Sequence, residues 1–306
     1  MREITVITHR IPNETRATLE RLVRAAAQAG VTLRLDEEET RKHGMRAGPG
    51  VQVDAPVERE VELCLVLGGD GTILRALQLY AGTNVPVFAI NFGEIGFLAT
   101  VERADIDEGI RRALEGDFEL LRLPAIALAP AGASAGGPAG GPAGGPAAAG
   151  LAGRAEVGQQ MAINDVAIHR KVGERVADLA YALEGEELGS VRCDGLVVAT
   201  PAGSTGYNLA NGGPVMAWGV EGFVVSFIAP HSLTARALVV APGDRLSIHN
   251  RSREPLDVAV DGRPAGEIPA GESIDASFRR DVGTIAQLPG SSFYRRLGDK
   301  FGRLAR

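Results

Sequence analysis

The stretch "LVLGGDGTIL", residues 65–74, decides the fold of the first part of the chain. A run of apolar residues ends at Gly68 and Gly69, one acid follows at Asp70, and after Gly71 the chain continues in a helical pattern. A buried strand that ends in glycines and leads into a helix brings backbone N–H groups to the carboxyl edge of a sheet. The stretch therefore predicts a strand, a glycine turn and a helix that together form a ligand site.

Asp70 is the unusual residue of this turn, because a carboxylate repels the phosphate groups that such turns bind well. The residue types leave three roles open: a helix cap, a ligand for a cation that bridges to phosphate, or a base for a hydroxyl that attacks phosphorus. Other glycine motifs do not fit, since G-x-x-x-x-G-K-[ST] is absent and G-x-G-x-x-G does not follow the first predicted strand.

Strand and helix patterns alternate on both sides of this stretch. Alternating elements of this kind predict a parallel sheet covered by helices. The predicted strands cover residues 4–9, 31–35, 61–67 and 85–91, and helical patterns cover 13–30, the segment after Gly71, and 104–116.

After about residue 120 the chain changes to short β-rich segments separated by turn residues, which indicates a mainly antiparallel domain. We expect an α/β domain at residues 1–121, with the tail 283–306 packing back on it, and a β-rich domain at 122–282. Residues 130–153 are nearly all Gly, Ala or Pro and contain GGPA three times in succession. Ordering such a segment costs entropy without burying side chains, so we expect a disordered hairpin loop rather than a binding tail.

The composition limits the classes of function. The chain has 306 residues, 45% of them hydrophobic, and a net charge of −6, which argues against nucleic acid as a partner. Cys64 and Cys193 lack the spacing of a zinc or redox motif and are expected to be free thiols. The sequence has neither a signal-peptide core nor an apolar run that approaches a membrane span, so we expect a cytoplasmic protein.

A second informative stretch is "RCDGLVVATPAGSTGYNLANGGPV", residues 192–215. A strand is followed by small and hydroxylic residues that can line a groove, where Tyr207 stacks on a base or closes the groove. The segment "AGSTG" only partly matches the nucleophile motif G-x-S-x-G, because Ala202 replaces the first glycine, and no His and acid partner is evident. Within "INDVAIHR", residues 163–170, Asn164 and Asp165 point to opposite faces unless the strand ends there, and His169 is expected at the surface.

Taken together, these motifs resemble those of the NAD kinase family, in the family's order and over nearly the whole chain. They are GGDGT at 68–72, NFGEIGFL at 91–98, AIND at 162–165, DGLVVATPAGSTGYNLANGGP at 194–214, PHSLTARALVV at 230–240 and DGR at 261–263. Diacylglycerol and sphingosine kinases carry an element similar to GGDGT, and phosphofructokinases carry a related one. The long T-P-x-G-S-T segment separates these families. The resemblance implies a Rossmann-like N-terminal domain and a C-terminal β domain of the type that NAD kinases and diacylglycerol kinases share.

The resemblance also implies roles for individual residues. Asp70 would be the general base that takes the proton from the 2′-hydroxyl of the adenosine ribose of NAD, and Asn164 and Asp165 would bind ribose hydroxyls. Asp165 replaces the longer Glu of the family's pair, and Gly206 stands where many members have Ala. The remaining implied binding residues are Gly68, Gly69, Gly71, Thr72, Arg75, Phe97 (against adenine), Asp178, Arg192, Asp194, Ala202, Thr205, Gly206, Tyr207, Asn208, Leu209, Ala210 and Arg263.

The resemblance finally implies ATP or inorganic polyphosphate as phosphoryl donor, NAD as substrate, and a homodimer or homotetramer. The sequence shows no cluster of acids that would form a metal cage, so a magnesium ion is expected to be held mainly by phosphates and water. Two alternatives stay open: a lipid or sugar kinase that shares the glycine turn, and a non-catalytic sensor that binds NAD. Neither nucleic acid nor a membrane is expected as a partner.

Overall fold

The computed structural model describes residues 2–94, 96–132, 158 and 160–302. The chain divides into two compact units: unit 1 is Met1–Arg122 with Gly283–Arg306, and unit 2 is Leu123–Val282. Among the described residues, no helix is long and apolar enough to cross a membrane. Most of the loop predicted at 130–153 lies outside the described residues, but Pro130 still belongs to a strand, so the predicted start of the loop was wrong.

The described elements follow one another along the chain as strands and mostly short helices. The strands are β1 (Arg2–Thr8), β2 (Val31–Arg34), β3 (Val51–Gln52), β4 (Leu63–Gly68), β5 (Val87–Asn91), β6 (Glu119–Pro130), β7 (Gln160–Ala162), β8 (Asp165–His169), β9 (Ala177–Leu183), β10 (Glu186–Cys193), β11 (Gly195–Ala199), β12 (Phe223–Ile228), β13 (Leu238–Val240), β14 (Arg245–Asn250), β15 (Leu256–Val260), β16 (Arg263–Ile268) and β17 (Ser273–Gln287). The α-helices are α1 (Pro12–Ala29), α2 (Glu37–His43), α3 (Asp70–Leu79), α4 (Ile106–Glu115), α5 (Tyr207–Ala210) and α6 (Phe293–Phe301), and 3-10 helices cover Arg103–Asp105 and Gly203–Thr205.

Unit 1 is built on a parallel sheet in which β1 pairs with β2 and β4, β2 with β3, and β4 with β5. The end of β17 joins this sheet, where Ile285 pairs in parallel with Val87 of β5. The central strand β4 is buried along its whole length, because both faces of a parallel sheet are covered. The parallel-sheet prediction for this part of the chain is confirmed.

The helices of unit 1 differ in how clearly the sequence pattern predicts them. Helix α1 begins with Pro12, buries Leu19 and Leu22, and ends at Gly30, whose φ of 67° is favourable only for glycine. Helix α2 was not predicted, because its sequence EEETRKH has no apolar residue and therefore no periodicity. A local signal was present, since Asp36 caps α2 by accepting the Glu39 N–H at 2.8 Å, which matches the spacing of a capping box.

Unit 2 consists of antiparallel sheets, as predicted. One has the strand order β13, β12, β11, β8, β15, β16, and another pairs β10, β9, β14 and β17 in that order. Residues of both sheets share one buried hydrophobic cluster, which includes Ile168, Leu196, Ile248 and Ile274. Strands β6 and β7 form the expected hairpin, in which Ile126 pairs with Ala162. Strands β10, β16 and β17 were missed because polar residues interrupt their apolar pattern.

Candidate active site

Asp70 is the first residue of helix α3, and its carboxylate is held by backbone of unit 1. Oδ2 accepts the Phe97 N–H and Oδ1 accepts the Leu98 N–H, each at 3.0 Å. Gly69 is the N-cap residue, and no side chain caps the helix, which excludes the cap among the three roles left open for Asp70. The carboxylate is directed across to the segment after β5 instead of back along its own helix. Each oxygen accepts one backbone N–H and has a further lone pair, so the carboxylate is fixed in place and still able to accept a proton.

The glycines of this turn allow a close approach between two segments of backbone. A Cβ on Gly69 would lie 3.0 Å from the Gly93 Cα, which is closer than real side chains tolerate without a shift. The Gly93 N–H donates to Asn91 Oδ1 at 2.9 Å, and Asn91 Nδ2 donates to Glu102. Gly93 therefore lies directly beside the GGDGT turn, and the Phe97 and Leu98 N–H groups of the same motif reach Asp70.

Arg75 lies on α3, and acids of unit 1 hold its guanidinium. Its Nη1 lies 3.2 Å from Glu38 Oε1, and its Nη2 lies 3.1 Å from Glu39 Oε1. Glu39 is fully buried and also accepts the Thr8 N–H at 3.0 Å and Lys42 Nζ at 2.8 Å. The predicted ligand contact of Arg75 stays a prediction. The sequence did not reveal that Glu39 is buried and binds Arg75, Lys42 and the Thr8 N–H.

Phe97, predicted to pack against adenine, contacts the C-terminal helix in unit 1. The ring is only 4% exposed, and its centroid lies 5.9 Å from those of Phe293 and Phe301, both on α6. Little of the ring is left for a ligand. The adenine contact therefore stays a prediction, while the observed contacts anchor the segment that binds Asp70.

In unit 2, Asp261 organises the segment that carries Asn164 and Asp165. Its Oδ1 accepts the N–H groups of Asn164 at 2.7 Å and Asp165 at 3.1 Å, and its Oδ2 accepts the Ile163 N–H at 3.0 Å. Strand β8 begins at Asp165, so Asn164 lies in the bend before the strand and not beside Asp165 within it. Asp261 belongs to the motif DGR, but the sequence did not reveal that its carboxylate binds the backbone of residues 163–165.

Three predicted site residues of unit 2 carry buried oxygen atoms without a hydrogen-bond partner: Asn164 Oδ1, Asp178 Oδ1 and Asn208 Oδ1. Buried polar atoms in folded proteins are nearly always paired, and leaving one unpaired costs about 1–3 kcal/mol. All three atoms are acceptors, so a ligand that offers hydroxyl or amide donors would satisfy them. The ribose hydroxyls of a dinucleotide have this chemistry.

Asp165 is a buried acid whose charge changes near neutral pH. Burial, with a further contribution from the negative charge of Asp261, raises the pKa of Asp165 to about 7. A ligand hydroxyl that donates to this carboxylate would favour its charged form and lower the pKa again.

The stretch at residues 200–214 forms a tightly constrained loop against Asn164. A Cβ on Gly203 would lie 2.1 Å from the Asn164 carbonyl oxygen, so only glycine fits there. Asn208 Nδ2 donates to the carbonyl oxygens of Ser204 and Pro214, each at 2.9 Å. Ser204 is fully buried, and its Oγ donates to Pro201 O at 2.7 Å, so Ser204 lacks the exposure of a serine-hydrolase nucleophile.

Tyr207 forms an aromatic pair with His169 in unit 2. The ring centroids lie 5.6 Å apart with an angle of 21° between the planes, so the rings are stacked. His169 is partly buried and not the surface residue that we expected, and burial lowers its pKa. The pair forms a largely uncharged aromatic surface next to β8.

The remaining predicted residues lie in both units. In unit 1, Gly68 ends β4, while Gly71 and Thr72 are in the first turn of α3. Asp178 on β9 is the register partner of Arg192 on β10. Arg192 is exposed. Asp194 binds Arg170 at 2.6 Å, and this hydrogen bond lowers the pKa of Asp194. Ala202 is buried, Thr205 and Leu209 are half-buried, and Gly206, Ala210 and Arg263 are exposed.

Metal-ligating side chains do not cluster in the part of the chain that the structure describes. Across residues 2–94, 96–132, 158 and 160–302, no group of three His, Cys, Asp or Glu side chains is placed to hold a metal ion.

Comparison with known proteins identifies relatives along almost the whole chain. The family model for the ATP-NAD kinase N-terminal domain matches residues 4–118, and the model for the C-terminal domain matches 163–278. The NAD kinase of Gemmatimonas aurantiaca is 30% identical over 302 residues, which cover 98% of this chain and 95% of the relative. The NAD kinase of Thermobifida fusca is 33% identical over 280 residues, covering 90% and 81% of the two chains.

Solved structures have the same fold. A yeast NADH kinase complexed with NADH matches with a TM-score of 0.81 at 19% identity, covering 100% of this chain and 89% of its own. An Archaeoglobus fulgidus NAD kinase in complex with ATP matches with a TM-score of 0.69 at 24% identity, covering 98% of both chains. Because both family models match in sequence order and curated relatives align along nearly the full length, the chain belongs to the NAD kinase family.

Proposed function

We propose that this kinase transfers the γ-phosphoryl group of ATP to the 2′-hydroxyl of the adenosine ribose of NAD, with Asp70 as the general base. The observation that carries the proposal is the geometry of Asp70: two backbone N–H groups fix its carboxylate at the start of a helix, and each oxygen can still accept a proton.

The chemistry requires little covalent participation by the protein. The Asp70 carboxylate takes the proton of the 2′-hydroxyl as the ribose oxygen bonds to the γ-phosphorus, and the bond from that phosphorus to the ADP oxygen breaks. Phosphoryl transfer of this kind depends mainly on positioning and on charge stabilisation. The N–H groups at the start of α3 supply part of that stabilisation, since the first N–H groups of a helix have no acceptor within it.

In this proposal unit 2 is the NAD-binding domain. Asn164 Oδ1 and Asp178 Oδ1 lack partners in the free protein, so donors on NAD stabilise the complex more than they would at a satisfied site. Asp165 accepts ribose hydroxyls through a side chain that is one methylene shorter than the family's Glu. The stacked pair of Tyr207 and His169 offers a flat surface for a base or the nicotinamide ring.

ATP is the proposed donor, and inorganic polyphosphate is the second candidate. When bound, a magnesium ion would neutralise charge on the donor phosphates. Arg75, Arg192, Arg236 and Arg263 are the proposed phosphate contacts of the chain. We also propose a homodimer or homotetramer and a cytoplasmic location, the latter supported by Cys64 and Cys193, which are buried free thiols.

The direct test is to incubate the purified chain with NAD and magnesium, add either ATP or polyphosphate, and measure NADP. We expect NADP with ATP. Retained NAD binding without any product would support the sensor alternative, and phosphorylation of a diacylglycerol or sugar instead of NAD would support the other kinase alternative. Light scattering of the same preparation measures the oligomeric state.

A further inference from the structure

We propose that Arg296, on the C-terminal helix, is a positioning residue that orients and polarises the backbone groups that hold the Asp70 carboxylate. The inference rests on the proposed role of Asp70 as the base. All the groups that carry it belong to unit 1.

The connection runs through a single peptide group. Arg296 Nη1 donates to the Phe97 carbonyl oxygen at 2.7 Å, and the N–H of the same peptide, that of Leu98, donates to Asp70 Oδ1 at 3.0 Å. Because the peptide is planar, its C=O and N–H point in opposite directions, so Arg296 and Asp70 bind the two ends of one dipole. A cation at the oxygen makes the N–H a stronger donor, since hydrogen bonds in a chain polarise one another.

Arg296 also fixes the backbone on the other side of Leu98. The same Nη1 contacts the Ala99 carbonyl oxygen, so one guanidinium clamps the segment that presents the Phe97 and Leu98 N–H groups. The Phe97 ring reinforces this contact by packing with Phe293 and Phe301 of the same helix.

The electrostatics of Arg296 agree with a role at the site. Burial lowers the pKa of Arg296, while the negative charges of Glu102 and Asp70 act in the opposite direction. Guanidinium groups remain charged in proteins, so a positive charge is held behind the peptide that binds the base. The neighbouring Arg295 lies exposed on the same helix and provides a matched control of equal charge.

The test compares the full-length variants Arg296→Met, Arg296→Lys and Arg295→Met by steady-state kinetics with NAD, ATP and magnesium. For Arg296→Met we expect kcat to fall about tenfold while KM for NAD stays within about twofold, because the residue acts on the base and not on NAD binding. Arg296→Lys should recover part of the loss, and Arg295→Met should match the wild type. A wild-type kcat in Arg296→Met would overturn the inference.

A double-mutant cycle separates this role from a general structural one. In the Asp70→Asn background, Arg296→Met should change the residual rate by less than about twofold, because the two residues act through one hydrogen-bonded unit. An equal loss in both backgrounds would show that Arg296 only stabilises the fold and would overturn the inference. If Arg296→Met does not fold, Arg296→Gln takes its place, since Gln keeps a donor but not the charge; its kcat should fall several-fold, and an unchanged kcat contradicts the inference.

Failure of the proposed function gives a different result. If Asp70→Asn itself turns over like the wild type, Asp70 is not the base and the inference falls with that role. If Asp70→Asn is slow and Arg296→Met is normal, the base role stands and only the inference fails.

Discussion

The candidate site residues of the two units differ in whether their oxygen atoms have hydrogen-bond partners within the protein. In unit 1 both oxygens of the Asp70 carboxylate have backbone partners within the protein. In unit 2, Asn164 Oδ1 and Asp178 Oδ1 are buried without any hydrogen-bond partner. In the proposed function, the first arrangement holds the general base in place, and a bound ligand completes the second. We therefore propose that unit 1 governs turnover and unit 2 governs dinucleotide affinity, and the changes below test that division.

The largest effect is expected for Asp70→Asn. General-base catalysis typically contributes about 10²–10⁴-fold, so kcat should fall at least about a hundredfold. Steady-state NADP formation measures the loss. Asp107→Asn is the control, because Asp107 is an exposed acid of the same unit that pairs with Arg21 at 3.3 Å. If Asp70→Asn turns over at a rate near that of the control, Asp70 is not the general base.

The next effect concerns Asp165 and pH. Its pKa is raised to about 7 in the folded chain, so the unfolded chain ionises first as pH rises from about 4. The contribution of the neutral Asp165 carboxyl to the free energy of unfolding is therefore fully present below about pH 4 and is lost progressively up to about pH 7. Above about pH 7 the contribution no longer changes with pH. Asp165→Asn should gain up to about 4 kcal/mol in unfolding free energy relative to the wild type over this range, at 1.36 kcal/mol per pKa unit.

Urea unfolding of both proteins at pH 5, 6, 7 and 8 measures this difference. A constant difference between the wild type and Asp165→Asn across the series would show that Asp165 does not titrate in the folded unit. Asp257→Asn serves as the control, since Asp257 is an acid of the neighbouring strand β15.

Asn164→Ala tests the unpartnered oxygen of unit 2. NAD affinity should fall about tenfold, the value of one hydrogen bond to a buried acceptor, while kcat at saturating NAD changes little. The melting temperature of the ligand-free protein should not fall, because Oδ1 makes no hydrogen bond there. Asn208→Ala should instead lower the melting temperature, since Asn208 Nδ2 joins two loop carbonyls. A lower melting temperature for Asn164→Ala without a change in affinity would contradict this reading.

The smallest effect is expected at the aromatic pair. Tyr207→Ala removes a stacked ring and should weaken NAD binding by about threefold to tenfold, which corresponds to a contribution of about 0.5–1.5 kcal/mol. Tyr207→Phe keeps the ring and should bind NAD like the wild type. Fluorescence titration with NAD measures both, and an equal loss in the two variants would assign the effect to the hydroxyl instead of the ring.

The sequence was most informative where a local pattern specifies the structure. The strand, glycine turn and helix at 65–79 were predicted because the apolar run and the glycines are adjacent in sequence. The partners of Asp70 were not, because Phe97 lies 27 residues further along the chain and donates through its backbone, which no residue type reveals. The hydrogen bonds of Asp261 to the Asn164 segment are missed for the same reason, since they span 96 and 97 residues.

Residue types alone left a helix cap open as one of three roles for Asp70. An acid between glycines at the start of a helix is typical of a cap, yet Gly69 takes the cap position and Asp70 the first helical position. This shift of one residue turns the side chain away from the N–H groups of its own helix. The contacts of Arg75 with Glu38 and Glu39 depend on helix α2, whose polar sequence gave no periodic signal.

Calorimetric titration of NAD into the Asp70→Asn variant tests the central division of labour most directly. The account predicts a dissociation constant within about threefold of the wild-type value in a variant whose turnover is at least about a hundredfold lower. A dissociation constant that rises in proportion to the loss of turnover would contradict the account, because Asp70 would then bind NAD and not act as the base.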